Sequence, residues 1–275
     1  MLDAMTELLR MGFVVVLSAN LLTFAEIIVL AQTNKSLKKY IFEDAPKNHV
    51  FMDLFTENMQ QHLAKNYVLT IKELNAVLLG NDAFISGGFI PATVHWDSSK
   101  SDVVVEYNKY KKQPDLDIFV LGQTAYVNVR KWFFENGFYE SSLEYAKDDT
   151  YEHVGSKGDF IKYSNMVINC SYFEKKTSDA DGNVVVESGL INIIHVTNRD
   201  QKKITPQSVV LKFDLNIVCN FYTGSELYIA FPHSLAAKKF ARNANTMYDP
   251  WNRDARRNRI AKYNSISQSS RCISF

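Results

Sequence analysis

Cysteine is scarce in this chain, and its scarcity excludes two classes of protein. The 275 residues include three cysteines, Cys170, Cys219 and Cys272, which are odd in number and far apart, with no CxxC pair and no Cys/His cluster. A disulfide framework and a structural zinc site are therefore not expected. Reduced thiols favour a cytoplasmic or nuclear protein.

Overall charge is also nearly absent, since 31 Lys and Arg oppose 30 Asp and Glu for a net charge of +1. The charge is unevenly distributed, however. Residues 238–271 hold nine Lys and Arg against two Asp, a net charge of +7, which leaves 1 − 7 = −6 for the rest. This asymmetry predicts a basic C-terminal surface for phosphates or nucleic acid. The alternative is a solvated helix with one basic face. The chain contains no RNA-binding signature of a known type.

One long apolar run is present, at residues 12–31, and its length would suffice to cross a bilayer. Glu26 and three other polar residues interrupt it, and a carboxylate inside a membrane helix is costly. The acidic residues Asp3 and Glu7 argue against a signal peptide. We therefore expect a packing helix and no stable membrane partner, with a membrane or interfacial segment as the alternative.

The remaining pattern, which contains no internal repeat, predicts a chain of mixed α and β structure. Thr70 followed by Glu73 forms a capping box at the start of a helix. The Asp-Gly and Gly-Asn steps within 179–183 predict a hairpin. The expected helices are 51–65, 70–79, 91–96, 124–136 and one from 232 onward, and the expected β segments are 83–86, 115–121, 160–172, 184–196 and 207–222.

Two carboxylates, Asp115 and Asp117, stand one residue apart at the head of the apolar strand 115–121. Residues at i and i+2 of a strand share one face, about 7 Å apart. Carboxylates this close raise each other's pKa unless a cation lies between them. Hard oxygen ligands at this spacing suit Mg²⁺ or Mn²⁺, whereas a merely solvated pair is the alternative.

Upstream, strand 83–86 ends in Ser86 and is followed by Gly87 and Gly88. Consecutive glycines allow the backbone to approach a ligand closely, and a helix that begins just after them would direct N–H groups at a phosphate. A third acid, Asp214, stands alone in the apolar segment 207–222. Such an acid is paired, lies at a strand end or is functional, and Lys212 is its candidate partner in the first case.

The motifs occur in a fixed order: a glycine pair after a strand, then Asp-x-Asp on a second strand, then a single later Asp. In this order the chain resembles the nucleotidyltransferase superfamily of the DNA polymerase β type. The finer pattern is similar to poorly characterised members from fungi and large DNA viruses. The resemblance implies an α+β fold, a mixed sheet flanked by helices. It divides the chain into an N-terminal helical segment (1–66), a nucleotidyltransferase-like domain (67–235) and a basic helical segment (236–275). The spacer between Gly88 and Asp115 is longer than in minimal members, which implies an inserted loop or hairpin.

The resemblance also implies a reaction, the transfer of a nucleoside monophosphate from a nucleoside triphosphate to an acceptor hydroxyl, with RNA or a protein as a possible acceptor. Asp115, Asp117 and Asp214 would hold Mg²⁺ or Mn²⁺ and act in catalysis. Ser86, Gly87 and Gly88 would bind the phosphates, and basic residues after the domain would close on the triphosphate, the candidates being Lys238, Lys239 and Arg242. Two alternatives are an inactive relative kept as a binding module and a membrane-associated protein anchored by residues 12–31.

Overall fold

The computed structural model of the chain describes residues 49–96, 115–140, 161–163, 166–178, 184–186, 188–198, 204–213, 215–236 and 241. Helices and strands alternate along these ranges, which confirms the expected mixture of α and β structure. The helices are α1 His49–Tyr67, α2 Ile71–Gly80, α3 Phe89–Val94, α4 Gln123–Glu135, α5 Pro206–Val210 and α6 Pro232–Ala236. The strands are β1 Ala83–Ser86, β2 Leu116–Leu121, β3 Phe138–Glu140, β4 Ile161–Tyr163, β5 Met166–Ser178, β6 Val184–Val186, β7 Ile191–Asn198, β8 Asn220–Tyr222 and β9 Leu227–Ile229.

The strands form one mixed sheet in the order β3-β5-β7-β2-β1-β8-β9, with β4 and β6 also paired to β5. The central pair, β2 and β7, is parallel, and β1 runs antiparallel to β2 on its other side. β5 and β6 pair across the predicted turn at 179–183, which confirms the hairpin. The predicted strand 160–172 is in fact two strands, and the second continues to Ser178.

One face of the sheet, which we call the helix-covered face, holds the main hydrophobic core. Ile85, Ile118 and Ile193 contribute to it from three adjacent strands, and all three are fully buried. Apolar residues of α1 to α4 cover them, including Phe55, Met59, Leu74, Phe89, Val129 and Phe133. Because strand side chains alternate between faces, every second residue of these strands is sealed under helices.

The opposite face is covered over only part of its area. Phe84 and Phe119 stack there with ring centroids 5.3 Å apart, and Val209 and Val210 of α5 pack against them. Toward the ends of β1 and β7 nearest to Gly87, polar side chains replace this apolar cluster. Ser86, Asp117, Asn192 and Tyr172 stand side by side across β1, β2, β7 and β5. We call these four residues the polar row.

The helix starts follow from local hydrogen bonds. The predicted capping box at α2 is confirmed, since Glu73 N donates to Thr70 Oγ1 and Thr70 N donates to the Glu73 carboxylate. α3 begins at Phe89, two residues before the predicted start, because it follows the glycine turn directly.

No helix within the described ranges has both the length and the apolar character needed to cross a membrane. The apolar run 12–31 lies outside those ranges.

The prediction of a single strand at 207–222 is wrong. A second capping box joins Thr205 and Ser208, with Pro206 in the first helical turn, so the segment opens as helix α5. A 3₁₀ turn follows at Asn216–Val218, and only Asn220–Tyr222 is a strand. The apolar run in the sequence hid these starts, because buried helices and buried strands have the same composition over short lengths.

Candidate functional site

The glycine turn after β1 lies directly against the second carboxylate of the Asp-x-Asp motif. Gly87 has a φ of +75°, a left-handed conformation that glycine adopts without steric cost. A Cβ at Gly87 would overlap Asp117 Oδ2 and lie 3.3 Å from Asp117 Cγ. Glycine is therefore required here twice, by the backbone conformation and by the carboxylate packed over it.

The other oxygen of Asp117 faces the neighbouring strand. Asn192 stands opposite Asp117 in the parallel β2–β7 pair, and its Nδ2 donates to Asp117 Oδ1 at 2.7 Å. The Asp117 carboxylate is thus held between the glycine turn of β1 and an amide of β7. A carboxylate oriented on both sides in this way is suited to present its oxygens to a cation, because its rotamer is already restricted.

Asp115 and Asp117 both act electrostatically on the same group of β5. Burial raises the pKa of the Cys170 thiol to about 12, and the charge of Asp117 and then that of Asp115 push it in the same direction. A hydrogen bond with the Tyr172 side chain partly opposes these effects. The two acids are partly exposed, whereas the apolar strand residue between them, Leu116, is fully buried under the helices. Exposure thus alternates over the three residues 115 to 117.

The remaining members of the predicted phosphate-binding turn are already engaged in the fold. Ser86 is fully buried, and its hydroxyl donates to the backbone oxygen of Asn220. Gly88 has helical dihedrals and caps α3, and its carbonyl accepts from Ala92 N. Ser86 therefore anchors the end of β1 to β8, which fixes the position of the glycine turn.

Three of the predicted site residues, Asp214, Lys238 and Lys239, lie outside the described residues, and so does Arg242. The neighbours of Asp214 are described, and Leu215 is buried in the main core. The next strand along, β8, pairs with β1 and not with β2. Within the described part of the chain, no group of three or more His, Cys, Asp and Glu side chains could together hold a metal ion.

Two residues of the polar row, Asn192 and Tyr172, were not predicted. Asn192 carries the same sequence signal that singled out Asp214, since it is a lone polar residue in the apolar stretch 190–194. The burial argument that applies to an isolated acid applies equally to a buried amide. Tyr172 has no such signal, and only the pairing of β5 with β7 brings it to the row.

The acidic pair, the glycine turn and the amide together form an oxygen-rich corner at one end of the opposite face. Carboxylate and amide oxygens suit hard divalent cations such as Mg²⁺ and Mn²⁺ and disfavour soft metals. Comparison with known proteins adds no assignment, since no protein-family model, curated protein or solved structure matches the chain.

Proposed function

We propose that this protein is a metal-dependent nucleotidyltransferase, which transfers a nucleoside monophosphate from a nucleoside triphosphate to an acceptor hydroxyl. The observation that carries the proposal is the contact between Gly87 and Asp117. It joins two motifs 30 positions apart in sequence, a backbone turn free of side chains and a carboxylate fit to bind a cation. A triphosphate with its divalent ion needs both in one place.

The donor set fits Mg²⁺ or Mn²⁺. Asp115 and Asp117 offer carboxylate oxygens on one face, and Asn192 restrains Asp117 from the side. A bound divalent ion would supply charge neutralisation at the phosphates and lower the pKa of the attacking hydroxyl. The protein's own role would be to hold and orient the cation. The two acids would bind it, and Gly87 leaves room for the Asp117 carboxylate over the turn.

Three further residues belong to the proposal on sequence grounds. Asp214 would be a third carboxylate that binds the cation and helps to activate the acceptor hydroxyl. Lys238 and Lys239 in the basic segment would pair with the triphosphate, since clustered ammonium groups favour phosphate. The finer fold, a nucleotidyltransferase-like mixed sheet, is supported by the order in which β1, the glycine turn, α3 and β2 follow one another.

The test is an activity assay with triphosphates labelled at the α-phosphate, in Mg²⁺ or Mn²⁺. We expect wild-type protein to label an acceptor, RNA or protein, and to release pyrophosphate. Asp117→Asn keeps the size of the side chain but removes its charge. We expect it to lower the rate by at least about 100-fold, equivalent to roughly 3 kcal/mol in the transition state.

Asp82→Asn is the matched control. Asp82 is exposed at the other end of β1 and has a φ of +46°, which asparagine also tolerates. Its variant should retain wild-type activity. Wild-type protein that binds triphosphate with metal but releases no pyrophosphate would point to an inactive binding relative. Protein that binds no triphosphate with either metal would show the proposal to be wrong.

A further inference from the structure

Asn192 is an unusual residue for the position it occupies. Its side chain is only 8% exposed, and its neighbours on the strand, Ile191 and Ile193, are fully buried on the other face. Its Nδ2 donates to Asp117 Oδ1, yet its Oδ1 accepts no hydrogen bond from the described residues. A buried acceptor left without a partner destabilises the fold, so such a group calls for an explanation.

The orientation of the amide is fixed by chemistry. A carboxylate accepts and does not donate, so the NH₂ group of Asn192 must face Asp117 and the carbonyl must point away from that bond. The unpartnered oxygen is therefore an acceptor by necessity. It belongs to an amide held beside the carboxylate of Asp117, which Gly87 flanks on the far side.

The charge around this oxygen favours a cation. Asp117 is hydrogen-bonded to the amide itself, and Asp115 lies near enough to act on Cys170 of β5, the strand that pairs with β7. The unpartnered carbonyl oxygen belongs to an amide that is hydrogen-bonded to one carboxylate, and a second carboxylate lies two residues earlier in the chain. Hard divalent ions accept amide carbonyls together with carboxylates, so these three groups suit such an ion.

We propose that Asn192 Oδ1 is a direct ligand of the divalent cation held by Asp115 and Asp117. This inference rests on the proposed function for the identity of the cation site, and it adds a ligand that the Asp-x-Asp motif does not contain. The amide contributes an oxygen without charge. Asn192 thus completes the coordination while keeping the net charge of these three ligands at −2.

The test begins with Mn²⁺ binding to the full chain, measured by calorimetry without nucleotide. Asn192→Asp should tighten Mn²⁺ binding by roughly ten- to a hundred-fold, the range that single changes beside a metal produce. Asn81→Asp makes the same chemical change at the end of α2 and should leave the affinity unchanged. If Asn192 serves only to donate to Asp117, Asn192→Asp removes that donor, and Mn²⁺ affinity should stay the same or fall. Either result would overturn the proposal.

A second measurement separates a ligand from a nearby charge. Wild-type protein labelled with ¹³C at the asparagine Cγ atoms, and loaded with Mn²⁺, should show a ¹³C hyperfine coupling from a carbon one bond from a ligand oxygen. That coupling should vanish in Asn192→Asp and persist in Asn81→Asp. Asn192→Ser, which adds no charge, takes the place of Asn192→Asp if the latter does not fold. A coupling that is absent from wild-type protein, or that survives both changes at position 192, would contradict direct ligation.

The same samples are assayed for pyrophosphate release with Mg²⁺ and triphosphate. If wild-type protein turns over but shows no asparagine coupling, the role of Asn192 is wrong and the proposed function stands. If it binds no Mn²⁺ and releases no pyrophosphate, both proposals are wrong. If the protein binds Mn²⁺ and shows the coupling but releases no pyrophosphate, Asn192 is a ligand and the proposed activity is wrong. The protein would then be an inactive, metal-binding relative.

Discussion

The two faces of the sheet use the same strands for opposite purposes. On β7, Ile193 lies under the helices and is fully buried, whereas its neighbours Asn192 and Ile194 face the other way. The helix-covered face is apolar along β1 and β2. On β7 it is apolar at Ile191 and Ile193, and His195 then stacks on Tyr126 of α4. The opposite face is apolar around Phe84 and Phe119, and it is polar where the strands approach the glycine turn after β1.

This difference shows how stability and a binding site are kept apart in one sheet. A side-chain period of two lets adjacent residues of a strand serve different surroundings without a change in the backbone. The core on the helix-covered face stabilises the strands, and the strands in turn fix the positions of the side chains in the polar row. Asp117 of the row and Asp115, just before β2, repel each other, and the core offsets that cost.

The largest effect that we expect concerns acid and the helix-covered face. His62 is buried between the rings of Phe89 and Trp96, and its Nδ1 is 2.9 Å from Thr93 Oγ1. Burial lowers the pKa of His62 to about 3. Because this folded-state pKa lies below the unfolded value of about 6.5, the stabilisation is complete above pH 6.5 and is lost as the pH falls toward 3. The loss is at most on the order of 5 kcal/mol.

Urea unfolding at a series of pH values checks this prediction. The free energy of unfolding of wild-type protein should fall more steeply between pH 6.5 and 3 than that of His62→Gln, which cannot titrate. The other ionisable groups, including His195, whose pKa burial also lowers, are common to both proteins and cancel in the comparison. Equal slopes would mean that His62 is accessible to protons in the folded state, and that this face is less tightly closed than its packing indicates.

The next effect compares the two faces through one residue type. Ile193→Ala should lower the free energy of unfolding by about 4 kcal/mol, because it opens a cavity in a core that is sealed by helices. Ile194→Ala, one position along the same strand, should cost only about 1–2 kcal/mol, since Ile194 is half-buried against the smaller cluster. Chemical denaturation measures both. Equal losses would break the distinction between the faces.

The smallest effect on stability concerns two glycines with almost the same backbone. Gly87 and Gly137 have φ values of +75° and +78°, but a Cβ at Gly137 would meet no atom within 4 Å. Both alanine variants should lose about 1–2 kcal/mol of stability through left-handed strain. Gly87→Ala alone should also weaken Mn²⁺ and triphosphate binding, because its methyl group displaces the Asp117 carboxylate.

Calorimetry on both variants, next to denaturation, tests this pair. Binding that falls equally in Gly87→Ala and Gly137→Ala would trace the loss to the backbone and not to Asp117. Binding that is intact in both would remove the glycine turn from the site.

Much of the fold was predictable because its signals are local. The capping box of Thr70 and Glu73 determines where α2 begins, and the turn at 179–183 determines that β5 and β6 pair. The segment 207–222 was not predictable in the same way. Its apolar run favours a strand more strongly than the Thr205 cap favours a helix. Short buried helices and short buried strands have the same composition, so the sequence does not distinguish them.

The candidate site was predictable in part for a related reason. The shared face of Asp115 and Asp117 follows from the alternation of a single strand. The sequence predicts Asp214, an isolated acid, as the third polar residue of the site. Asn192 is also a lone polar residue in an apolar stretch. It reaches Asp117 only because β7 lies beside β2, and no local sequence pattern predicts that pairing.

The sequence by itself determined local facts of this protein, namely where α2 starts and where glycine is required after β1. These depend on hydrogen bonds and dihedral angles within a few residues. Only the tertiary structure decided that Gly87 lies under Asp117 and that Asn192 stands beside it. Those contacts arise because the helices seal one face of the sheet and so fix the order and register of β1, β2 and β7, and that burial is a property of the whole domain.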